Sequence, residues 1–234
     1  MQVVIAGGHG KIGLRLAALL AGRGDVVTGV VRNPDHVGDL EGAGATAAVL
    51  DLESAGAREL AATLTGADAV VFAAGAGPGS GVARKDTVDR AAAELLAEAA
   101  RLAGVRRYLL VSSAGVDDPP APERGSGGWR PAEPAGRVDG VWAAYLAAKR
   151  AAEDAIRAAD HLDWTILRPG SLTDDPGTGR VRLSPPPVPH GSVTRDDTAA
   201  VLAALLDAPG SAGAVLELRE GDDDVVEAVT AVSS

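Results

Sequence analysis

Tyr145 and Lys149 stand four residues apart in the stretch YLAAK, a spacing that puts both side chains on one face of a helix. An ammonium beside a phenol favours the phenolate, which makes a poor acid a usable proton donor and acceptor. Ser112 and Ser113 end the apolar run that precedes that helix, where a hydroxyl can orient a substrate carbonyl. Lys11, Lys85 and Lys149 are the chain's lysines, far outnumbered by arginine, so two scarce ammonium groups fall inside candidate motifs. The bland alternative is a half-buried packing tyrosine and a solvated helix lysine.

A second constellation lies near the start. Gly7, Gly10 and Gly13 form G-x-x-G-x-x-G directly after an apolar run and directly before helical spacing of leucines. Glycine suits a turn with positive φ, a backbone that approaches a diphosphate, and a helix packed tightly on a strand. The N–H groups at the helix start then bind phosphate. Gly8, His9, Lys11 and Ile12 complete this expected dinucleotide cradle, with His9 and Lys11 able to touch phosphate. Arg32 ends the second apolar run, where an acid would hold a ribose diol; a guanidinium there can grip a 2′-phosphate, or be a surface arginine. Asp51 and Leu52 follow the third run and can border the adenine, although an acid after a strand is also a common turn former.

Other chemistries fail on spacing. Lys11 is followed by Ile12, which breaks the triphosphate-binding loop G-x-x-x-x-G-K-[ST]. No serine sits in G-x-S-x-G, and His9, His36, His161 and His190 are scattered without metal-ligand spacing. No metal is expected, and there is no cysteine to act as nucleophile, ligand or disulfide.

These residues need elements to hold them. Gln2 to Ala6, Val26 to Arg32, Thr46 to Leu50, Ala67 to Ala74, Arg107 to Ser112 and Trp164 to Arg168 read as strands. Lys11 to Gly22, Ala55 to Leu64, Asp86 to Ala103 and Val138 to Ala159 read as helices, with a short helical or irregular Pro34 to Leu40. A later helix spans Asp196 to Leu206, followed by a strand from Ala214 to Arg219 and a weak final helix. Strand and helix alternate, which predicts an α/β fold with a doubly wound parallel sheet, the Rossmann arrangement, as one domain over 1–234. Residues 117–140 are rich in Pro, Gly and Arg and read as a lid or a mobile loop. Residues 171–234 supply smaller elements on the substrate side.

Composition narrows the partners. The net charge is −10 without a basic run, which argues against nucleic acid. No apolar stretch reaches membrane-spanning length, and the amino-terminal stretch lacks the basic and apolar regions of a signal peptide. A cytoplasmic protein with a small-molecule substrate is expected.

The segments AGGHGKIG, VVRNP, LDLES, VVFAAGAG, YLLVSSAGV, YLAAK, WTILRPGSL and SVTRDDTAAVL follow one another in an order that resembles an atypical short-chain dehydrogenase/reductase, of the NmrA-like and epimerase/dehydratase-like kind. The resemblance covers nearly the whole chain. It implies NADP(H) as cofactor, its diphosphate on Gly7, Gly10 and Gly13, its 2′-phosphate on Arg32, and its adenosine side along Ala73, Ala74 and Gly75. It further implies Ser112 beside the cofactor, Lys149 on the nicotinamide ribose, and Pro169, Gly170 and Ser171 against the nicotinamide. Ser113, Tyr145 and Lys149 would form the catalytic trio, and Thr194 with Arg195 a late structural or substrate-side motif. Tyr145 follows Ser113 by 32 residues, a wider gap than the superfamily usually shows. The implied activity is an NADP(H)-dependent oxidoreductase acting on a carbonyl or alcohol; an epimerase or dehydratase would use the same parts. A third reading is a redox sensor whose bound nucleotide alters a protein partner.

Overall fold

A computed structural model describes residues 1–77, 80–117 and 139–233. The order is β1 (Gln2–Ala6), α1 (Lys11–Gly22), β2 (Val26–Val31), a 3-10 turn (Pro34–His36), α2 (Val37–Gly42), β3 (Thr46–Val49), α3 (Ala57–Thr63) and β4 (Ala69–Phe72). Next comes a continuous helical stretch: α4 (Val82–Arg84), a π-helical segment (Lys85–Ala91) and α5 (Ala92–Ala103). β5 (Arg107–Val111), α6 (Asp139–Arg157), β6 (Asp163–Pro169), β7 (Ser171–Thr173), β8 (Arg180–Ser184) and β9 (Ser192–Thr194) follow. The chain continues through α7 (Arg195–Leu206), a 3-10 turn (Pro209–Ser211), β10 (Ala214–Glu220), β11 (Asp223–Asp224) and α8 (Val225–Val232).

Among the described residues the main sheet runs β11-β8-β10-β6-β5-β4-β1-β2-β3, and β7 pairs with β9 in a small second sheet. Its centre is parallel, while β8 runs antiparallel to β10 and carries β11 beyond it. The expected parallel sheet therefore forms with a mixed edge, a Rossmann-like arrangement.

Why the central strands lack a polar face is visible in β1. Val3 and Ile5 face a cluster with Leu16 and Leu20 of α1 and Leu202 and Leu205 of α7. Val4 and Ala6 face the opposite cluster, with Leu60 of α3, Leu96 of α5 and Ile156 of α6. In β4 the same alternation sends Val71 to the first layer and Val70 and Phe72 to the second. A strand covered on both faces has no polar side to show.

Order reverses beside β1: the chain goes outward through β2 and β3, then returns to add β4 on the other side. The carboxyl ends of β1 and β4 part at this point, which is where open α/β sheets hold ligands. The segment 117–140, expected as a lid or mobile loop, lies almost wholly outside the described residues; Asp117 is its described start, and the Asp139–Arg157 helix takes in its last two positions. No helix among the described residues is long and apolar enough to cross a membrane.

Candidate functional site

Gly7 leaves β1 with φ +82°, a left-handed conformation that glycine adopts without a Cβ penalty. A side chain there would also strike the Ala74 backbone at 2.6 Å, so the turn after β1 lies directly against the chain after β4. Gly13, in the first turn of α1, is fixed by packing: a Cβ would come within 2.4 Å of the Gly7 carbonyl oxygen. Gly8 backs onto Gly29 of β2 in the same way, at 2.6 Å. Gly10 caps α1 in an extended conformation, with no side-chain cap and no acid in the first turn. The first N–H groups of a helix lack intrahelical partners and carry partial positive charge. The turn thus has both features that a diphosphate needs, room for backbone approach and unspent donors.

The rest of the cradle divides. Ile12 is buried in the first core layer. The Lys11 ammonium lies 2.5 Å from Asp174, which follows β7 and also pairs with Arg195 at 2.9 Å. His9 turns the other way: its ring stacks on His36 with centroids 3.5 Å apart, and its Nε2 is 2.7 Å from Asp39. Ala73 continues the β4 direction by donating its amide to Ala6 O, and Gly75 lies beside Asp89, whose Oδ1 would be 3.3 Å from an added Cβ.

Arg32 stands just past β2, with its guanidinium 2.9 Å from Glu53. Asp51 accepts a hydrogen bond from the Glu53 amide at 3.1 Å, the local arrangement of a turn-forming aspartate. Leu52 packs against the second core layer.

Lys149 is 3% exposed. Its ammonium donates to Val111 O at the end of β5, at 3.0 Å, and sits 3.3 Å from Asp89. A buried cation needs such compensation, and Asp89, fully buried, supplies the charge while accepting from the Ala76 amide at 3.3 Å. The π-helical register presents both Lys85 and Asp89 to α6. Tyr145 therefore has two ammonium groups near its ring, Lys85 at 5.1 Å and Lys149 at 5.9 Å from the centroid, with Trp142 tilted against it at 5.1 Å. Neither Lys85 nor Asp89 stood out in the sequence; the rarity of lysine was the available signal for the first.

The two serines part company. Ser112 is buried and its hydroxyl donates to Glu153 at 2.5 Å, so its side chain serves an interior network. Glu153 also takes Arg168 in a two-pronged pair, at 2.8 and 2.6 Å. Burial opposes charge on Arg168, but the bonds to Glu153 and Asp117 win and hold the guanidinium protonated above its ordinary range. Ser113 is half-buried and points its hydroxyl at Ala114 O, 3.0 Å away. Ala114 in turn donates its amide to Pro169 O, which brings the serine turn alongside Pro169, Gly170 and Ser171. Gly170 is packed under Gly191, whose oxygen would meet a Cβ at 2.3 Å, and Ser171 donates its amide to the same oxygen. Thr194 caps α7 by accepting from the Asp197 amide. Among the described residues, no hydrogen bond joins Ser113 to Tyr145.

Three comparisons can be set beside this geometry. A family described as NAD(P)H-binding matches residues 7–209. An uncharacterised sugar epimerase of Bacillus subtilis, YhfK, is 34% identical over 230 residues, 98% of this chain and 99% of that protein. A provisionally assigned NAD-dependent epimerase/dehydratase from Bacillus halodurans is 31% identical and superposes with a TM-score of 0.84, covering 99% of both chains. The Lactococcus lactis oxidoreductase ylbE is 25% identical, with a TM-score of 0.80 over 99% of this chain and 96% of its own.

Proposed function

The chain belongs to the NAD(P)H-binding family, and on that footing we propose that it is an NADP(H)-dependent oxidoreductase of the atypical short-chain dehydrogenase/reductase type, acting on a small carbonyl or alcohol substrate. One observation carries the reading: the uncapped start of α1 follows β1, and the Lys149 ammonium, which lies 5.9 Å from the Tyr145 ring, meets the carboxyl end of β5, the strand on the other side of β4, whose following residue Ala74 packs on Gly7. A dinucleotide laid across that edge has its diphosphate on the helix and its far end among the proton-transfer groups.

In this reading the cofactor, when bound, supplies or accepts a hydride at the substrate carbon. Lys149, anchored by Val111 O and Asp89, keeps a fixed ammonium beside Tyr145 and within reach of a ribose. Negative charge that develops on the phenolic oxygen is stabilised by that ammonium, so Tyr145 gives its proton to the carbonyl oxygen in reduction and takes it back in oxidation. Ser113 donates a hydrogen bond to the same oxygen after turning away from Ala114 O. Arg32 takes the 2′-phosphate, which favours NADP(H).

The names of the two Bacillus proteins favour a second reading, an epimerase or dehydratase, in which the same tyrosine moves the proton and the cofactor is regenerated within each turnover. Tyr145→Phe separates catalysis from binding. NADPH affinity should stay within about twofold while turnover falls by about 10²-fold or more, the scale of a lost general acid. Turnover that survives the substitution would overturn the role of Tyr145; NADPH binding without turnover on carbonyls or sugars would point to a sensor.

A further inference from the structure

Arg32 does not stand alone at the adenosine end of the sheet. The Glu53 carboxylate receives Arg32 and Arg84, each at 2.9 Å, and the Thr87 hydroxyl at 2.7 Å. These residues come from three places that parallel pairing brings to one edge: just past β2, just past β3, and the helical stretch after β4. Arg32 and Arg84 are 55% and 42% exposed, Glu53 24%, so the cluster faces outward around a carboxylate that is the better covered partner. The Thr87 hydrogen bond, then the two guanidinium groups, hold the Glu53 carboxyl below the usual carboxylate range against the opposing effect of burial.

Two guanidinium groups sharing one carboxylate leave one positive charge in surplus. A phosphate arriving at Arg32 must compete with Glu53 for that guanidinium and must approach a fixed negative charge. Arg84 removes most of this cost, because it goes on neutralising Glu53 when Arg32 turns to the phosphate. We propose that Glu53 and Arg84 set the choice between NADPH and NADH, Glu53 as a carboxylate competing with the 2′-phosphate for Arg32 and Arg84 as the positioning residue that frees Arg32 from it. The inference rests on the assignment of Arg32 as the 2′-phosphate ligand.

The test is a set of dissociation constants for NADPH and NADH on the full chain, with Arg32→Ala, Glu53→Gln, Arg84→Gln, Arg84→Lys and the double variant Glu53→Gln/Arg84→Gln. All three positions are partly exposed, and far-ultraviolet circular dichroism checks that each variant folds. Glu53→Gln should bind NADPH about fivefold more tightly and NADH unchanged, the scale of one exposed charge pair. Arg84→Gln should weaken NADPH about fivefold with NADH unchanged, and Arg84→Lys should recover most of the loss. Arg84→Gln should have no further effect once Glu53 is Gln, because its action runs through that carboxylate. An equal loss in both backgrounds would show that Arg84 meets the phosphate directly and overturn the proposal, as would a Glu53→Gln variant that loses NADH instead. If Arg32→Ala weakens both coenzymes equally, the NADP(H) assignment fails and this inference with it; if Arg32→Ala is selective and Glu53→Gln is silent, the inference alone fails.

Discussion

Gly13 shows how much of the site depends on a missing atom. A Cβ there would sit 2.4 Å from the Gly7 carbonyl oxygen, with Gly8 O at 2.8 Å, and neither backbone oxygen can swing aside as a side chain could. Gly13→Ala is expected to destabilise the protein by about 1–3 kcal/mol, the usual cost of overpacking, read as a lower midpoint in urea, and to weaken NADPH and NADH together because the helix must move off the turn. Unchanged stability and binding would show that α1 is not pressed on the turn. This glycine was legible in the sequence, since its role follows from its place between a strand and a helix. The partner of Lys149 was not. Asp89 lies in a helix some sixty positions earlier, and only the packing of the π-helical segment on α6 brings its carboxylate to the ammonium.

At the scale of elements, apolar strands buried on both faces announced themselves as runs such as Val3 to Ala6 and Ala69 to Phe72, and the structure has them in the expected order. The edge did not. β8 alternates exposed Arg180 and Arg182 with buried Val181 and Leu183, but among glycines and prolines so short an alternation reads as turns, and β7 and β9 have three residues each. The Ser112 hydroxyl joins β5 to α6 and β6 through Glu153 and Arg168. Both charges of that pair are 1% exposed. Glu153→Gln should cost about 3–5 kcal/mol, because Arg168 would keep a buried charge without its main partner. Asp117→Asn, at a partner that is 55% exposed, should cost about 1 kcal/mol or less. Chemical denaturation compares the two; equal effects would mean that the interior pair does not bind these elements together. The hydrogen bond from Arg168 holds the Asp117 carboxyl below its usual range. That carboxylate's stabilising contribution is therefore complete above the ordinary carboxylate value and is lost only as pH falls through the depressed one.

Across the whole molecule, one sheet positions both groups of candidate site residues. Past β1, β2 and β3 come the glycine turn, Arg32 and Glu53, with Arg84 reaching Glu53 from the helix after β4, while the ends of β5 and β6 carry Ser113 and Pro169, and Lys149 of α6 meets Val111 O there. The late strands β10, β8 and β11 add to this same sheet beside β6, so part of the stretch from 171 onward extends the frame that it borders, while β7 and β9 pair apart from it. A bound dinucleotide would span both halves, and the central claim is that it does so with its diphosphate at the start of α1. Calorimetric titration of the intact protein with NADPH and with NADH tests this most directly. One coenzyme per chain, NADPH the tighter of the two, is the expected result; no heat of binding with either would contradict it.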